Sequence, residues 1–215
     1  MVAKGARKAG SRLAGSSDPL AVAKLGLATG KKNTFITQTQ PLASFRGLRT
    51  DYDRLSYALA LLELYASVLP YEQPDADCYD LLVSSLQILE VHVKPTVALV
   101  WCELQLLSYA GFLPSFDASA VSGEALENRG ELLFASPSAG GYVTSAESTS
   151  FMDRFKVQRE VLIGLARMSE LSEPPANLKL ADESIIALWQ FWRNVADAQL
   201  PANEAVVNEL RLKAL

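Results

Sequence analysis

From Ser44 onward the apolar residues of this chain recur at steps of three and four, the spacing that lines one side of an α-helix and that a strand cannot use. Leu55, Leu59, Leu62, Ala66 and Leu69 form the first such stripe, and Pro70 ends it. A second helix is expected from about Asp75 to Val91, with Asp75 as its N-cap and Leu81, Leu82, Leu86 and Leu89 turned inward. A third starts near Pro95, whose fixed φ suits a first helical turn, and stops at Gly111; it carries Leu99, Cys102, Leu106 and Tyr109 inward. Helices are expected again from about Ser150 to Ser169, from Asp182 to Ala198 beyond the Pro174-Pro175 linker, and from Pro201 onward. Between them, residues 112–150 are rich in Ser, Ala and Gly and read as an irregular, mobile insertion.

Residues 1–42 follow another pattern. Short segments are separated by Gly, Ser, Pro and Lys, and the β-branched and aromatic run Thr34, Phe35, Ile36, Thr37 suits a strand. Propensity leaves Ala21–Ala28 open between strand and helix. The expected class is therefore α+β, with a small β module over 1–42 and a larger helical domain over 43–215.

Charge follows the same division. The net charge is −4, yet residues 1–32 hold Lys4, Arg7, Lys8, Arg12, Lys24, Lys31 and Lys32 against the single acid Asp18, so the remainder carries −10. A basic end on an acidic body is either the footprint of a polyanion or a solvated tail. The opening MVAKGARKAGSRLAG also has the composition of a transit peptide, but it lacks the apolar core of a secretory signal. No stretch reaches the roughly eighteen apolar residues of a membrane-spanning helix. Cys78 and Cys102 are too few for a disulfide framework and lie in apolar helical patterns, where buried reduced thiols are expected. The cytoplasm is the expected compartment.

Catalytic patterns are missing from the sequence. His92 is the single histidine and sits between Val91 and Val93, where a hydrogen-bonded structural role is expected. No G-x-S-x-G elbow accompanies it. The stretch GLATGKKNT resembles a phosphate loop only in part: Gly26 and Gly30 are one residue too close, and Lys32 stands where Ser or Thr must reach magnesium. A strand-connecting turn is expected there instead. Trp189, Phe191 and Trp192 could form a partner pocket, but their spacing favours anchoring a helix to the core. No enzyme activity and no cofactor are expected.

Four segments together carry a family likeness. VAKGARKAGSRLAG (Val2–Gly15), AKLGLATGKKNTFITQTQPL (Ala23–Leu42), LASFRGLRTDYDRLSYALALLELY (Leu42–Tyr65) and ELQLLSYAGFLPSFD (Glu103–Asp117) resemble, in order and separation, the corresponding parts of RecO recombination mediators. The resemblance covers most of residues 2–145 and thins after Phe151. It implies a partial N-terminal OB-fold barrel followed by an all-helical C-terminal domain. It further implies DNA binding through the basic segment Lys4, Arg7, Lys8 and Arg12, to which the turn lysines Lys31 and Lys32 are added. The implied function is a DNA repair mediator that binds ssDNA and dsDNA, anneals strands and assists recombinase loading. Its implied partners are RecR, the acidic C-terminal tail of the single-strand-binding protein and, indirectly, RecA; it would be nucleoid-associated, with no membrane contact. The alternative is a helical interaction or scaffold module with a solubilising or targeting basic tail.

Two departures from the family pattern set further expectations. The likeness begins beyond the strands with which relatives open their barrel, which points to a start upstream of Met1. Many relatives also carry two C-x-x-C pairs in the insertion, where this chain places Ser119 and Ser122, then Thr144 and Glu147. Hydroxyls and one carboxylate do not replace four thiolates around zinc. No metal is expected.

Overall fold

A computed structural model of the chain describes residues 2–3, 8, 13, 20–31, 33–69, 73–127, 130, 132–196 and 198–213. It divides into two compact units, Met1–Thr50 and Asp51–Leu215.

In the first unit, β1 (Ala21–Thr29) and β2 (Thr34–Ser44) form an antiparallel hairpin, followed by the short helix α1 (Arg46–Thr50). Propensity does not decide Ala21–Ala28; pairing with β2 makes it a strand. The link between the strands is a tight turn in which the Gly30 N–H donates to the Asn33 carbonyl at 2.9 Å. The partial phosphate-loop match therefore lies on a strand–turn–strand path, not at the mouth of a helix. Register shifts at Val22/Ala23 and Gly26/Leu27 bend the ribbon. On the outer side of β2, Val2 adds a parallel bridge to Phe35: its N–H donates to Thr34 O at 2.8 Å, and the Ile36 N–H donates to Val2 O at 3.0 Å.

The second unit contains α2 (Tyr52–Val68), α3 (Ala76–Val91), α4 (Pro95–Tyr109), β3 (Leu132–Ser136), β4 (Gly141–Val143), β5 (Phe155–Gln158), α5 (Arg159–Ser169), α6 (Ala181–Val195) and α7 (Pro201–Lys213). Helix α4 is its axis. Apolar on all sides, it buries the whole run Val97–Leu104 together with Leu106 and Leu107, and α2, α3, α5 and α6 all pack on it. Its one carboxylic acid, Glu103, is 2% exposed and accepts a 3.0 Å hydrogen bond from Trp192 Nε1 of α6. Helix α7 packs against α2 and α6.

Side chains hold the helix ends. Asp75 caps α3 as expected, accepting from the Cys78 N–H at 2.9 Å, and Pro95 opens α4. Arg54 donates from one guanidinium nitrogen to Leu89 O and from another to His92 O at 2.7 Å, supplying donors to the carbonyls that α3 leaves unpaired. The Glu63 carboxylate does the converse for α7, accepting from the Ala202 N–H at 3.2 Å and the Asn203 N–H at 3.0 Å. His92 is structural: Nδ1 accepts from the Lys94 N–H at 3.1 Å, and Nε2 lies 3.2 Å from Pro175 O. Cys78 and Cys102 are buried, unpaired thiols.

Four expectations require correction. The buried face of α2 is Tyr57, Ala58, Ala60, Leu61, Leu64 and Tyr65, whereas Leu59 and Ala66 of the expected stripe are exposed. The segment is apolar almost all round, so its periodicity does not set the phase; packing by α3, α4 and α7 does. Tyr109 turns outward and donates to Asp75 Oδ2 at 2.6 Å. The helix expected from Ser150 starts only at Arg159, because Phe155–Gln158 is strand β5. Finally, the insertion is ordered: β3, β4 and β5 form a three-stranded antiparallel sheet with β3 at its centre. Gly141, at φ 152°, lies against the Ser115 backbone, where a Cβ would come within 2.7 Å of Ser115 N. The C-terminal domain is thus helical with a small sheet inserted in it.

Candidate nucleic-acid interface

On the hairpin, residues opposite one another share a face. Lys24 stands across from Gln40, and Gly26 across from Gln38. This makes one face a polar strip of Lys24, Gln38 and Gln40, beside a glycine whose Cβ would sit 3.1 Å from that of Gln38. Thr37 Oγ1 donates to Gly26 O at 3.1 Å and ties the strands together next to it. Leu25 and Thr39 oppose each other on the other face. Lys24, the turn residue Lys31 and Arg46 of α1 are all exposed.

Of the six residues expected to contact DNA, the structure places two. Lys31 is exposed at the hairpin tip and Lys8 is exposed in the segment between Val2 and the hairpin. Lys4, Arg7, Arg12 and Lys32 lie outside the described residues. Lys24 and Arg46 were not among the six. Their signal was the charge count alone: residues 1–50 carry nine Lys and Arg against Asp18, while residues 51–215 carry eleven against twenty-three Asp and Glu. The positive potential of the chain is therefore concentrated on the hairpin unit.

The four positions expected to stand in place of a zinc-binding cysteine set do converge. Ser119 Oγ donates to Glu147 Oε2 at 2.7 Å, the Thr144 N–H donates to the same oxygen at 2.8 Å, and the Glu147 N–H donates to Thr144 Oγ1 at 3.3 Å. Ser119 Oγ in turn accepts from the Val121 and Ser122 N–H groups at 3.1 and 3.2 Å. Hydrogen bonds from Ser119, then Ser122 and the Thr144 backbone, lower the Glu147 pKa to about 2. A carboxylate thus knits the two loops together. Three hydroxyls and one carboxylate are not a zinc donor set, and no group of three or more His, Cys, Asp or Glu suited to a metal occurs among the described residues.

The aromatic cluster divides between two roles. Phe191 packs edge-on to Phe116 and Phe155, with ring centroids 6.1 and 5.8 Å away, and Trp192 is buried on Glu103. These two are core anchors. Trp189 is only half-buried.

The family model for the C terminal of recombination protein O matches residues 49–205. The chain belongs to the RecO family. Similar curated proteins include the DNA repair protein RecO of Heliobacterium modesticaldum, 34% identical over 144 residues covering 66% of this chain and 52% of that protein. The DNA repair protein RecO of Symbiobacterium thermophilum is 36% identical over 142 residues, 65% of this chain and 56% of that one. That of Caldanaerobacter subterraneus is 28% identical over 162 residues, 75% and 64% respectively. The chain spans about half the length of the first of these relatives. The stretch matched by the family model, 49–205, falls almost wholly within the second unit, and residues 1–48, with the hairpin, lie outside that model. No helix among the described residues is long and apolar enough to cross a membrane.

Proposed function

We propose that this RecO-family chain is a DNA repair and recombination mediator that holds single- and double-stranded DNA on its basic N-terminal unit and anneals complementary strands. It would assist recombinase loading on DNA coated with single-strand-binding protein, with RecR and the acidic tail of that coating protein as protein partners. One observation carries the reading: nine of the twenty cations sit in residues 1–50 with a single acid, in a chain whose relatives are named DNA repair proteins.

The physics asks little of the protein. Lysine and arginine bind phosphates by displacing condensed counterions, so affinity is high at low salt and independent of sequence. Two strands held on neutralising surface no longer repel each other and can pair. The second unit, with eleven Lys and Arg against twenty-three Asp and Glu, adds no net attraction for a polyanion, so the non-specific pull comes from residues 1–50. Lys8, Lys24 and Lys31 supply exposed charge, and the polar face of Lys24, Gln38 and Gln40 offers donors to phosphate oxygens.

The test is annealing of two complementary oligonucleotides followed by energy transfer between end labels. The full chain should accelerate pairing, and alanine at Lys4, Arg7, Lys8 and Arg12 should remove the acceleration. Equal rates with and without the protein would instead favour the scaffold reading, with a basic tail that merely solubilises.

A further inference from the structure

One face of α6 is only half-buried. Glu183, Ile186, Trp189, Gln190 and Arg193 follow helical spacing along it, and two adjoining cavities of about 510 and 360 Å³ run beside it, one against α7 and one against β5. Arg211 of α7 lines both, so they form one groove. Its cations are Arg193, Arg211 and Lys156, all exposed and none in an ion pair among the described residues. Among the described residues its acids are Glu183 and Glu204. In a unit where acids outnumber bases two to one, a groove whose described lining holds three cations and two acids is a departure that packing does not require.

Trp189 is the second departure. Trp101 and Trp192 each donate the indole N–H to a partner, Leu171 O at 3.1 Å and Glu103 Oε2 at 3.0 Å. Trp189 makes no such bond among the described residues and presents a half-buried ring to the larger cavity. Gln199 and Asn208 stand around it. An indole bordered by guanidinium and amide groups matches a nucleotide, whose base has a π-face and polar edges and whose phosphate is an anion.

We infer that this groove holds a single nucleic-acid strand, with a base stacked on Trp189 and phosphates on Arg193, Arg211 and Lys156. A duplex does not suit it, because paired bases keep their faces inside the stack. The inference rests on the proposal that the protein binds DNA but assigns a second contact, on the helical unit and separate from the hairpin. It gives the mediator a place for one unpaired strand apart from its basic unit.

The test uses the full chain and a labelled oligothymidylate, with binding read by anisotropy and Trp189 read as the emission lost in Trp189→Phe. Wild type should show quenching on binding that Trp189→Phe lacks. The triple variant Lys156→Ala, Arg193→Ala, Arg211→Ala should bind about tenfold more weakly and lower the salt slope by about 2, since each single-strand phosphate contact contributes roughly 0.7. These three residues are exposed, so the triple variant should fold even if Trp189→Phe does not. An unchanged slope and affinity in the triple variant, with binding lost on alanine substitution of Lys8 and Lys31, overturns the groove and leaves the hairpin reading standing. No binding by wild type overturns both. A hexaglutamate peptide that quenches Trp189 more tightly than the oligonucleotide overturns the assignment in favour of an acidic peptide.

Discussion

Glu103 should make the stability of this protein fall between pH 5 and pH 8. The carboxyl is 2% exposed, and burial raises its pKa from the ordinary 4.5 to about 8, opposed only by the hydrogen bond from Trp192. The folded state therefore keeps a proton that the unfolded chain releases above pH 4.5. The stabilisation is complete below the unfolded value and is lost as pH rises towards the folded one, at about 1.4 kcal/mol per pH unit. Across the window the loss amounts to roughly 3 to 5 kcal/mol, a large part of a typical domain's stability. Glu103→Gln keeps an acceptor for the Trp192 N–H and removes the titration. Urea unfolding followed by circular dichroism should show the variant within about 1 kcal/mol of wild type at pH 5 and several kcal/mol more stable at pH 8. The lowered carboxyls Asp75 and Glu147 act in the opposite sense, at pH values below the ordinary carboxylate range, and so leave this window clear. Parallel profiles for the two proteins from pH 5 to pH 8 would refute the reasoning.

Other expectations follow from the inserted sheet. Gly141→Ala should cost about 2 to 4 kcal/mol, because the new Cβ meets the Ser115 backbone at a φ of 152°; a urea midpoint unchanged from wild type would refute that contact. The protein should contain no stoichiometric zinc and be indifferent to chelators, and elemental analysis finding one zinc per chain would contradict the role given to Glu147. Because Ser119, Ser122, Thr144 and Glu147 converge, replacing all four with cysteine should create a chelator-sensitive zinc site, whereas a variant that takes up no metal would mean that they are not held together in solution.

Where a boundary is decided by local chemistry, it was legible in the sequence. Asp75 caps a helix because its carboxylate reaches an N–H three residues on, and Pro95 and Pro201 open helices because a first turn does not need their missing N–H. The basic N-terminal unit could likewise be read by counting. The phase of α2 could not, since Leu59, Leu61, Leu62 and Leu64 leave scarcely a polar side to orient it. The inserted sheet was hidden for a different reason. Its strands are only five, three and four residues long and are set among linkers rich in Ser, Ala and Gly, and what holds them is long-range: Asp153 accepts from Ser136 Oγ at 2.6 Å and the Ser138 N–H at 2.7 Å, and Arg159 Nε donates to Glu127 O at 3.0 Å. Glu103 and Trp192, 89 residues apart, show no periodicity that would pair them. At the candidate interface, Lys24 was counted as charge, and its place on the polar face of the hairpin emerged only from the pairing register.

We propose that the N-terminal unit of this RecO-family chain binds DNA through its basic residues. The salt dependence of oligonucleotide binding tests this, compared between the full chain and the variant with Lys4, Arg7, Lys8 and Arg12 changed to alanine. Loss of four phosphate contacts should flatten the log–log slope by roughly 3 to 4 on duplex and about 3 on single strands, and weaken binding equally across sequences. A slope identical in the two proteins would remove these residues from the DNA site and contradict the account.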